Sequence, residues 1–283
     1  MRTAIVILAA ILAHLAGMAQ ANIWEDCPNH KKVELTPFLA QQGNGVSVIV
    51  CPGGSYFWHD MEHEGYEVGQ WLSLNGVNAF VLRYRVAGVK AFITHYRQLS
   101  RGNRYPDPQD DLRQAMRYIK KHWEEYGVDT TRIGVMGFSA GGHLVMSAGE
   151  LFEGFDRPAF IAPVYPVVTL AEDCAHKRSR RALLGDNRQN DLVMRDSLSL
   201  ERHVPDNCPP VFLINCKDDP VVDYRNSELL DSALSAHGVD HRYIQYETGG
   251  HGFGASSTKG TTECRGWKDE FLLWLKELYQ ESE

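Results

Sequence analysis

The sequence lacks an apolar run long enough to cross a membrane, since the longest, residues 4–13, has ten residues and a spanning helix needs about 20. It has no stripe of Lys and Arg, and its formal net charge is −7, which argues against nucleic acid as a partner. It has no C-x-x-C pair and no Cys/His zinc spacing. The 43% hydrophobic and 23% charged residues exclude a disordered or disulfide-packed chain and indicate an ordinary globular protein.

The N-terminal 21 residues have the pattern of a secretory signal peptide. Arg2 precedes the ten-residue apolar run, and Ala19-Gln20-Ala21 follows it as a small-x-small cleavage site. We therefore predict a signal peptide over residues 1–21, a mature chain that starts at Asn22, and a secreted or periplasmic location. An N-terminal anchor is the alternative, but the run is short for one. We expect residues 22–283 to form a single domain with no membrane span.

Short apolar runs alternate with amphipathic ones after the signal. The pattern predicts strands at residues 46–50, 78–84, 132–138, 160–165, 211–216 and 242–246, and helices at residues 64–75, 107–126, 140–151, 227–237 and 267–279. In the second of these helices we expect Trp123 on the buried face. Such alternation is typical of an α/β fold with a mostly parallel, doubly wound sheet flanked by helices.

Two stretches fit this alternation poorly. One extends from Ala87 to Arg104, and the other, from Val168 to Pro210, shows short helical patterns near residues 178–184 and 190–197. Long excursions in α/β folds commonly cover the ends of the strands. We expect the second to be a small helical insertion over the site. The first either lines the substrate pocket or is a solvated loop.

A candidate nucleophile lies in Gly137-Phe138-Ser139-Ala140-Gly141, which matches G-x-S-x-G. The motif alone is weak, but here it follows an apolar strand and opens an apolar helix. A sharp strand-to-helix turn strains the serine backbone, and the two glycines make room for that turn. The helix N-terminus then places the amide of Ala140 near a developing oxyanion. The alternative is a glycine-rich turn whose serine only caps the helix.

A candidate acid and a candidate base follow Ser139 along the chain. In α/β folds whose nucleophile lies on such a strand-to-helix turn, the chain order is serine, acid, histidine. His251 lies among glycines in the loop after residues 242–246, and Asp218 and Asp219 follow the strand at 211–216. Spacing alone leaves the choice between the two aspartates open. Of the twelve histidines, only His251 combines this chain order with a strand end and a glycine-rich loop. His143, just after the motif, is expected to point into the helix packing.

The first strand is followed by Cys51-Pro-Gly-Gly-Ser-Tyr56. A glycine pair there lets backbone N–H groups approach a bound carbonyl closely, so with Ala140 this loop is a candidate oxyanion hole. A simple glycine turn is the alternative.

The six cysteines fall into two groups. Cys51 and Cys216 end apolar runs and are expected to be buried thiols. The other four lie in polar stretches and are able to pair in an oxidising compartment, with three connectivities open: Cys27, Cys174, Cys208 and Cys264.

Together these motifs resemble the α/β-hydrolase serine esterases. The similarity is to exported bacterial carboxylesterases of the acetyl-xylan and feruloyl esterase kind, in the hormone-sensitive-lipase-like group. It rests on segments that occur in the family order: Pro52-Gly-Gly-Ser-Tyr56, Tyr84-Arg-Val86, Tyr105-Pro106, Gly134-Val-Met-Gly-Phe-Ser-Ala-Gly-Gly-His143, Tyr165-Pro166, Asp219-Pro-Val-Val222 and Gly249-Gly-His-Gly-Phe253.

The resemblance implies specific roles for some of these residues. Its D-x-x-V pattern implies that Asp219 rather than Asp218 is the acid, beside Ser139 and His251. Its H-G-G-G-like loop implies that the oxyanion donors are the amides of Gly54, Ser55 and Ala140. The sequence departs from the pattern at Pro52, where many relatives have His, at Ser55, where a third glycine is usual, and in the long segment from Ala87 to Arg104.

From the site and the resemblance we expect an exported serine carboxylesterase that cleaves short-chain, chiefly acetyl, esters on plant polysaccharides such as xylan. It would use no cofactor and no metal, and its partner would be a small-molecule or oligosaccharide ester. A peptidase of the prolyl-oligopeptidase type shares this fold, but we expect the 262 residues of the mature chain to leave no room for its propeller.

Other functions stay as alternatives. An amidase or formamidase fits the same site, and a non-catalytic binding module would not need the three candidate residues. A metal hydrolase would use His59 and His63, which lie four apart with acids between them, but not in the order H-E-x-x-H. The oligomeric state is left open.

Overall fold

A computed structural model describes residues 20–26, 33–93 and 102–280 of the chain. Eight strands form one sheet: β1 (Ala21–Asn22), β2 (Glu34–Phe38), β3 (Ser47–Cys51), β4 (Asn78–Arg83), β5 (Ile133–Phe138), β6 (Ile161–Val164), β7 (Val211–Cys216) and β8 (His241–Tyr246). The predicted signal peptide falls almost wholly outside the described residues. The predicted cleavage point lies inside β1.

The strand order across the sheet is β1-β2-β4-β3-β5-β6-β7-β8. From β4 to β8 all neighbours run parallel, and β1 and β2 add an antiparallel edge. The predicted mostly parallel sheet is therefore confirmed. β1 and β2 were not predicted from the sequence. β2 is short and contains Pro37, which has no amide to donate and marks a segment as unsuitable for a central strand.

Helices cover both faces of the sheet: α1 (Glu67–Leu74), α2 (Gly88–Ile93), α3 (Asp107–Lys121), α4 (Trp123–Tyr126), α5 (Ala140–Leu151), α6 (Lys177–Leu184), α7 (Leu192–Ser197), α8 (Arg225–Ala236), α9 (Thr262–Arg265) and α10 (Trp267–Gln280). One apolar layer contains buried side chains of α3, α5, α6 and α8. The other contains those of α1 and α10, where Trp71 and Trp267 meet edge to face at 5.1 Å. None of the described helices is long and apolar enough to span a bilayer.

The helix predicted over residues 107–126 is confirmed over Asp107–Lys121, but it does not continue unbroken to residue 126. It breaks at His122, whose φ and ψ of −103° and 25° are not helical, and the chain restarts as the single turn of α4. The break changes the direction of the last turn, so Trp123 is 48% exposed instead of buried. Gly127 then ends the turn in the left-handed conformation, with φ of 61°.

The insertion between β6 and β7 contains the two predicted short helices, α6 and α7. It is fixed to the domain by buried leucines at residues 183, 184, 198 and 200. In the other irregular segment, residues 88–93 form α2, whereas Tyr96, Arg97 and Arg101 lie outside the described residues.

The described cysteines are all free and buried. This agrees with the expectation for Cys51 and Cys216. Cys174, Cys208 and Cys264 were expected to be available for pairing, and the structure joins none of them in a disulfide. All three are buried, at 7%, 9% and 0% exposure, so their polar sequence neighbours are misleading. Cys27 lies outside the described residues.

The carboxyl ends of the parallel strands define one rim of the sheet. The loop 52–55 follows β3, Ser139 follows β5, Tyr165 follows β6, and the segments with Asp219 and His251 follow β7 and β8. Parallel α/β sheets place ligand sites at this rim. The topology therefore brings the residues singled out in the sequence to one edge.

Candidate active site

Ser139 occupies a strained turn between β5 and α5. Its φ and ψ are 53° and −115°, outside the regions that L-residues readily adopt. The flanking glycines allow this turn: a Cβ on Gly137 would lie 2.1 Å from the carbonyl oxygen of Gly141, and one on Gly141 would lie 2.0 Å from that of Cys51. The backbone amide of Ser139 donates to the carbonyl of Val164 (3.0 Å), which anchors the turn to β6.

His251 and Ser139 are in hydrogen-bond contact. Nε2 of His251 lies 2.9 Å from Oγ of Ser139, and Nδ1 lies 2.6 Å from Oδ2 of Asp219. With Asp219 ionised, Nδ1–H donates to the carboxylate, and Nε2 is left with a lone pair that accepts from the serine hydroxyl. The Asp219 side chain is 2% exposed and that of His251 is 13% exposed. This is the arrangement of a nucleophile, a base and an orienting acid.

The two neighbouring aspartates have different contacts. Oδ1 of Asp219 accepts from the amides of Val221 (2.7 Å) and Val222 (3.0 Å), which aims its other oxygen at His251. Asp218 instead accepts from the amides of Gly249 and Gly250, in the loop that leads to His251. The structure therefore brings Asp219 to the histidine ring and places Asp218 on the histidine's loop.

The loop after β3 has the shape expected of a backbone anion site. The carbonyl of Gly53 accepts from the amide of Asp60 (3.0 Å), and that of Gly54 accepts from the amides of residues 57 and 58. In a trans peptide the carbonyl and the next N–H point in opposite directions. The amides of Gly54 and Ser55 are therefore turned away from residues 57–60. Ser55 has φ of 56°, the left-handed conformation that a third glycine would adopt more easily.

The third predicted donor, Ala140, is the first residue of α5. Its amide is one of the N-terminal amides of a helix that have no partner within the helix. A Cβ on Gly53 would lie 2.9 Å from Cβ of Ser139, so the glycine loop packs directly against the serine.

Three residues near Ser139, His251 and the glycine loop were not assigned a role from the sequence. Tyr165 packs its ring against that of His251, with 4.6 Å between centroids. His176, at the start of α6, contacts Ser179 Oγ through Nδ1 (2.8 Å), and burial, reinforced by the charges of Arg178 and His251, lowers its pKa to about 4. Glu64 is buried beside the glycine loop. Their sequence neighbours give no signal that separates them from surface residues of the same types.

The other histidines considered in the sequence have separate partners. His143 is buried and contacts Tyr56 and the carbonyl of Leu198, as expected for a residue of the helix packing. His59 packs edge to face on Tyr84, whereas His63 pairs with Glu67 at 3.2 Å. Within the described part of the chain, no three His, Cys, Asp or Glu side chains are grouped as metal ligands would be.

An aromatic cluster lies next to the glycine loop. The ring of Phe92, in α2, meets those of Phe57 and Trp58 at 5.3 and 5.2 Å. Trp58 and Phe92 are each 36% exposed. Arg178 and Arg181 of α6 lie over the rings of Phe92 and Phe57. The described part of the segment from Ala87 to Arg104 thus packs beside the site together with the helical insertion.

The comparison with known protein families matches residues 78–255 to the alpha/beta hydrolase fold. The chain belongs to this family, and the predicted fold class and resemblance are confirmed.

Two proteins of known name are similar to most of this chain. The chain is 30% identical over 227 residues to an acetylxylan esterase from Xylanibacter ruminicola, a match that covers 79% of this chain and 44% of that protein. It is 31% identical over 216 residues to endo-1,4-beta-xylanase B from Butyrivibrio fibrisolvens, covering 72% of this chain and 32% of that one. The chain therefore spans less than half the length of these two relatives.

Solved structures match over a larger share. An acetyl ester-xyloside bifunctional hydrolase from Caldicellulosiruptor lactoaceticus is 32% identical, with a TM-score of 0.78 over 92% of this chain and 96% of that chain. A carboxylesterase from Lactobacillus plantarum is 22% identical, with a TM-score of 0.73 over 92% and 96% of the two chains, and shows the shared fold.

Proposed function

We propose that the protein is an exported serine carboxylesterase that removes short acyl groups, chiefly acetyl, from plant polysaccharides such as xylan. The observation that carries this proposal is the line of hydrogen bonds from Asp219 through His251 to Ser139, on a strained turn next to the glycine loop. Similarity to an acetylxylan esterase and to an acetyl ester-xyloside bifunctional hydrolase supports acetylated xylan as the substrate class.

In the proposed reaction, Oγ of Ser139 attacks the ester carbonyl carbon while Nε2 of His251 takes the serine proton. The oxyanion of the tetrahedral intermediate accepts hydrogen bonds from the amides of Gly54, Ser55 and Ala140. The intermediate collapses with cleavage of the C–O bond, and the alcohol leaves with the proton from His251. Water then attacks the acyl-serine, again with His251 as base, and the carboxylic acid is released.

Asp219 orients the imidazole in this scheme and stabilises the imidazolium that forms after each proton transfer. The buried carboxylate is held in place by two backbone amides, so it does not have to reorganise during the reaction. No cofactor is needed for either half of the reaction.

The exposed aromatic rings support a sugar as the alcohol part of the ester. Trp58 and Phe92 offer apolar faces beside the glycine loop, and the C–H-rich faces of pyranose rings pack on aromatic side chains. We expect Trp58→Ala to raise KM for acetylated xylo-oligosaccharides about tenfold, which corresponds to a loss of about 1.4 kcal/mol of binding free energy. Hydrolysis of p-nitrophenyl acetate, which has no sugar, should change little.

The activity is tested with purified wild type and Ser139→Ala on acetylated xylan, short p-nitrophenyl esters, feruloyl esters and an acetanilide. We expect wild type to prefer acetylated xylan and Ser139→Ala to lose activity on every substrate. Activity that survives this substitution would refute the serine mechanism. Faster cleavage of the anilide than of the esters would support an amidase instead.

Export is tested separately by expressing the full chain and sequencing the N-terminus of the released protein. We expect the mature chain to start at Asn22, because Ala19 and Ala21 fit the small-residue cleavage positions. A protein retained in the cytoplasm with its first residues intact would contradict the export proposal and leave the esterase proposal standing.

A further inference from the structure

Glu64 is a buried acid with both carboxyl oxygens in use. It is 3% exposed, in a π-helical turn formed by Glu62–Tyr66. Oε2 accepts from the backbone amide of Gly53 (2.7 Å), and Oε1 accepts from the hydroxyl of Tyr165 (2.9 Å). Burial raises the pKa of this carboxyl. Burying a carboxyl group is costly unless its oxygens are hydrogen-bonded, so these two contacts are what allow Glu64 to be buried here.

The Tyr165 hydroxyl continues the network. While it donates to Glu64, its oxygen accepts from the backbone amide of Gly254 (2.9 Å), in the loop that carries His251. The π-helical turn also contacts this loop directly, because the carbonyl of His63 accepts from the amide of Ala255 (3.0 Å). The Glu64 and Tyr165 side chains together thus join the glycine loop, the residue after β6 and the histidine loop.

The network begins next to the reacting atoms. A Cβ placed on Gly53 would lie 2.6 Å from Oε2 of Glu64 and 2.9 Å from Cβ of Ser139. Gly53 is therefore enclosed between the carboxyl group and the serine. Its N–H is fixed by Glu64 and its carbonyl by the amide of Asp60. The carbonyl of Gly53 sets the direction of the Gly54 amide, and the position of Gly53 fixes where the next peptide, which carries the Ser55 amide, begins.

We propose that Glu64 is a positioning residue that holds the amides of Gly54 and Ser55 in place relative to Ser139 and His251. This role builds on the proposed esterase function, since it acts through the proposed oxyanion donors. In this role Glu64 acts through those amides and not by contact with the substrate or the serine hydroxyl. Such a residue affects the transition state, in which the oxyanion exists, more than it affects substrate binding.

The test compares kcat and KM for p-nitrophenyl acetate in wild type, Glu64→Gln and Glu64→Ala. Glutamine keeps one accepting oxygen and so preserves only one of the two hydrogen bonds. We expect kcat to fall about tenfold for Glu64→Gln, as for one lost hydrogen bond, and about 100-fold for Glu64→Ala, as for a displaced oxyanion donor. KM should stay within about twofold in both.

A trifluoromethyl ketone inhibitor provides a second readout. It adds to the serine and places a charged oxygen where the oxyanion forms, so its affinity should fall in parallel with kcat/KM. Glu62→Gln is the matched control, because Glu62 is an exposed acid of the same turn. This variant should behave like wild type in both assays.

Tyr165→Phe keeps the test decisive where Glu64→Ala fails to fold. It leaves Glu64 bonded to Gly53 and removes the link to Gly254, so we expect a smaller loss of kcat, about tenfold, at unchanged KM. Folded Glu64 variants with wild-type kcat, or with a raised KM and unchanged inhibitor affinity, would overturn the proposal. Full activity of Ser139→Ala would instead mean that the esterase mechanism itself is wrong.

Discussion

His143 makes the stability of the protein depend on pH in a calculable way. Its side chain is fully buried in α5, with Nδ1 3.0 Å from the hydroxyl of Tyr56 and Nε2 3.0 Å from the carbonyl of Leu198. The carbonyl only accepts, so Nε2 carries the proton and Nδ1 accepts from the tyrosine. Burial lowers the pKa of His143 from 6.5 to about 4.

The sign of the effect follows from proton binding. Between pH 6.5 and 4 the unfolded chain binds a proton at His143 and the folded protein does not, so acid favours unfolding. The contribution to stability is fully present above pH 6.5 and is lost as the pH falls toward 4. Each pH unit in that window corresponds to about 1.4 kcal/mol, so His143 alone should cost about 3 kcal/mol at pH 4.

The assay is urea unfolding of wild type and His143→Gln at pH 7, 6, 5 and 4. Glutamine does not titrate, and its amide is able to donate to the carbonyl of Leu198. We expect wild type to be the more stable at pH 7 and its advantage to shrink by about 3 kcal/mol by pH 4. The comparison cancels the other titrating groups. An advantage that stays constant with pH would refute the assignment of a buried neutral histidine.

Two further predictions concern the turn and the acid. Asp219→Asn should lower kcat by about 10³–10⁴-fold, because the amide disturbs the imidazole tautomer. Asp218→Asn should lower kcat less than about tenfold, since an amide oxygen still accepts from the amides of the histidine loop. Similar losses of kcat in the two variants would contradict these roles. Gly137→Ala should lower the free energy of unfolding by more than about 2 kcal/mol, because its Cβ would lie 2.1 Å from backbone. Gly238 has a φ of 63° but open space around it, so Gly238→Ala should lower the free energy of unfolding by only about 1 kcal/mol. Equal melting temperatures for the Gly137→Ala and Gly238→Ala variants would contradict the packing argument.

The parts of the fold that follow from local pattern could be predicted from the sequence. The strands from β3 to β8 and the helices α1, α3, α5, α8 and α10 were predicted from apolar runs and helical spacing. The central strands β3, β5 and β7 are buried at every position, which is why they read as continuous apolar runs. The turn at Ser139 could be predicted from the G-x-S-x-G segment, because a side chain at Gly137 or Gly141 would collide with backbone there. The structure brings Ser139, Asp219 and His251 together. Chain order and strand ends pointed to Ser139, His251 and one of two aspartates, the resemblance implied Asp219, and the catalytic roles remain proposals.

What could not be predicted depends on contacts distant in sequence. Pro37 gave no sign that its segment pairs with β4, and the break at His122 was hidden by continuous helical periodicity. Glu64 belongs to a run of charged residues typical of a surface. Only the approach of Gly53 and Tyr165, which come from other elements, makes it a buried acid with two partners.

In the proposed mechanism, Ser139 forms a covalent acyl-enzyme with His251 as its base. The most direct measurement is mass spectrometry of the protein after reaction with a p-nitrophenyl phosphonate, which stops at the stage of the serine adduct. We predict one adduct, on the peptide that contains Ser139, formed at least about 100-fold more slowly in His251→Ala. An adduct on another residue, or unchanged labelling in Ser139→Ala, would contradict the account.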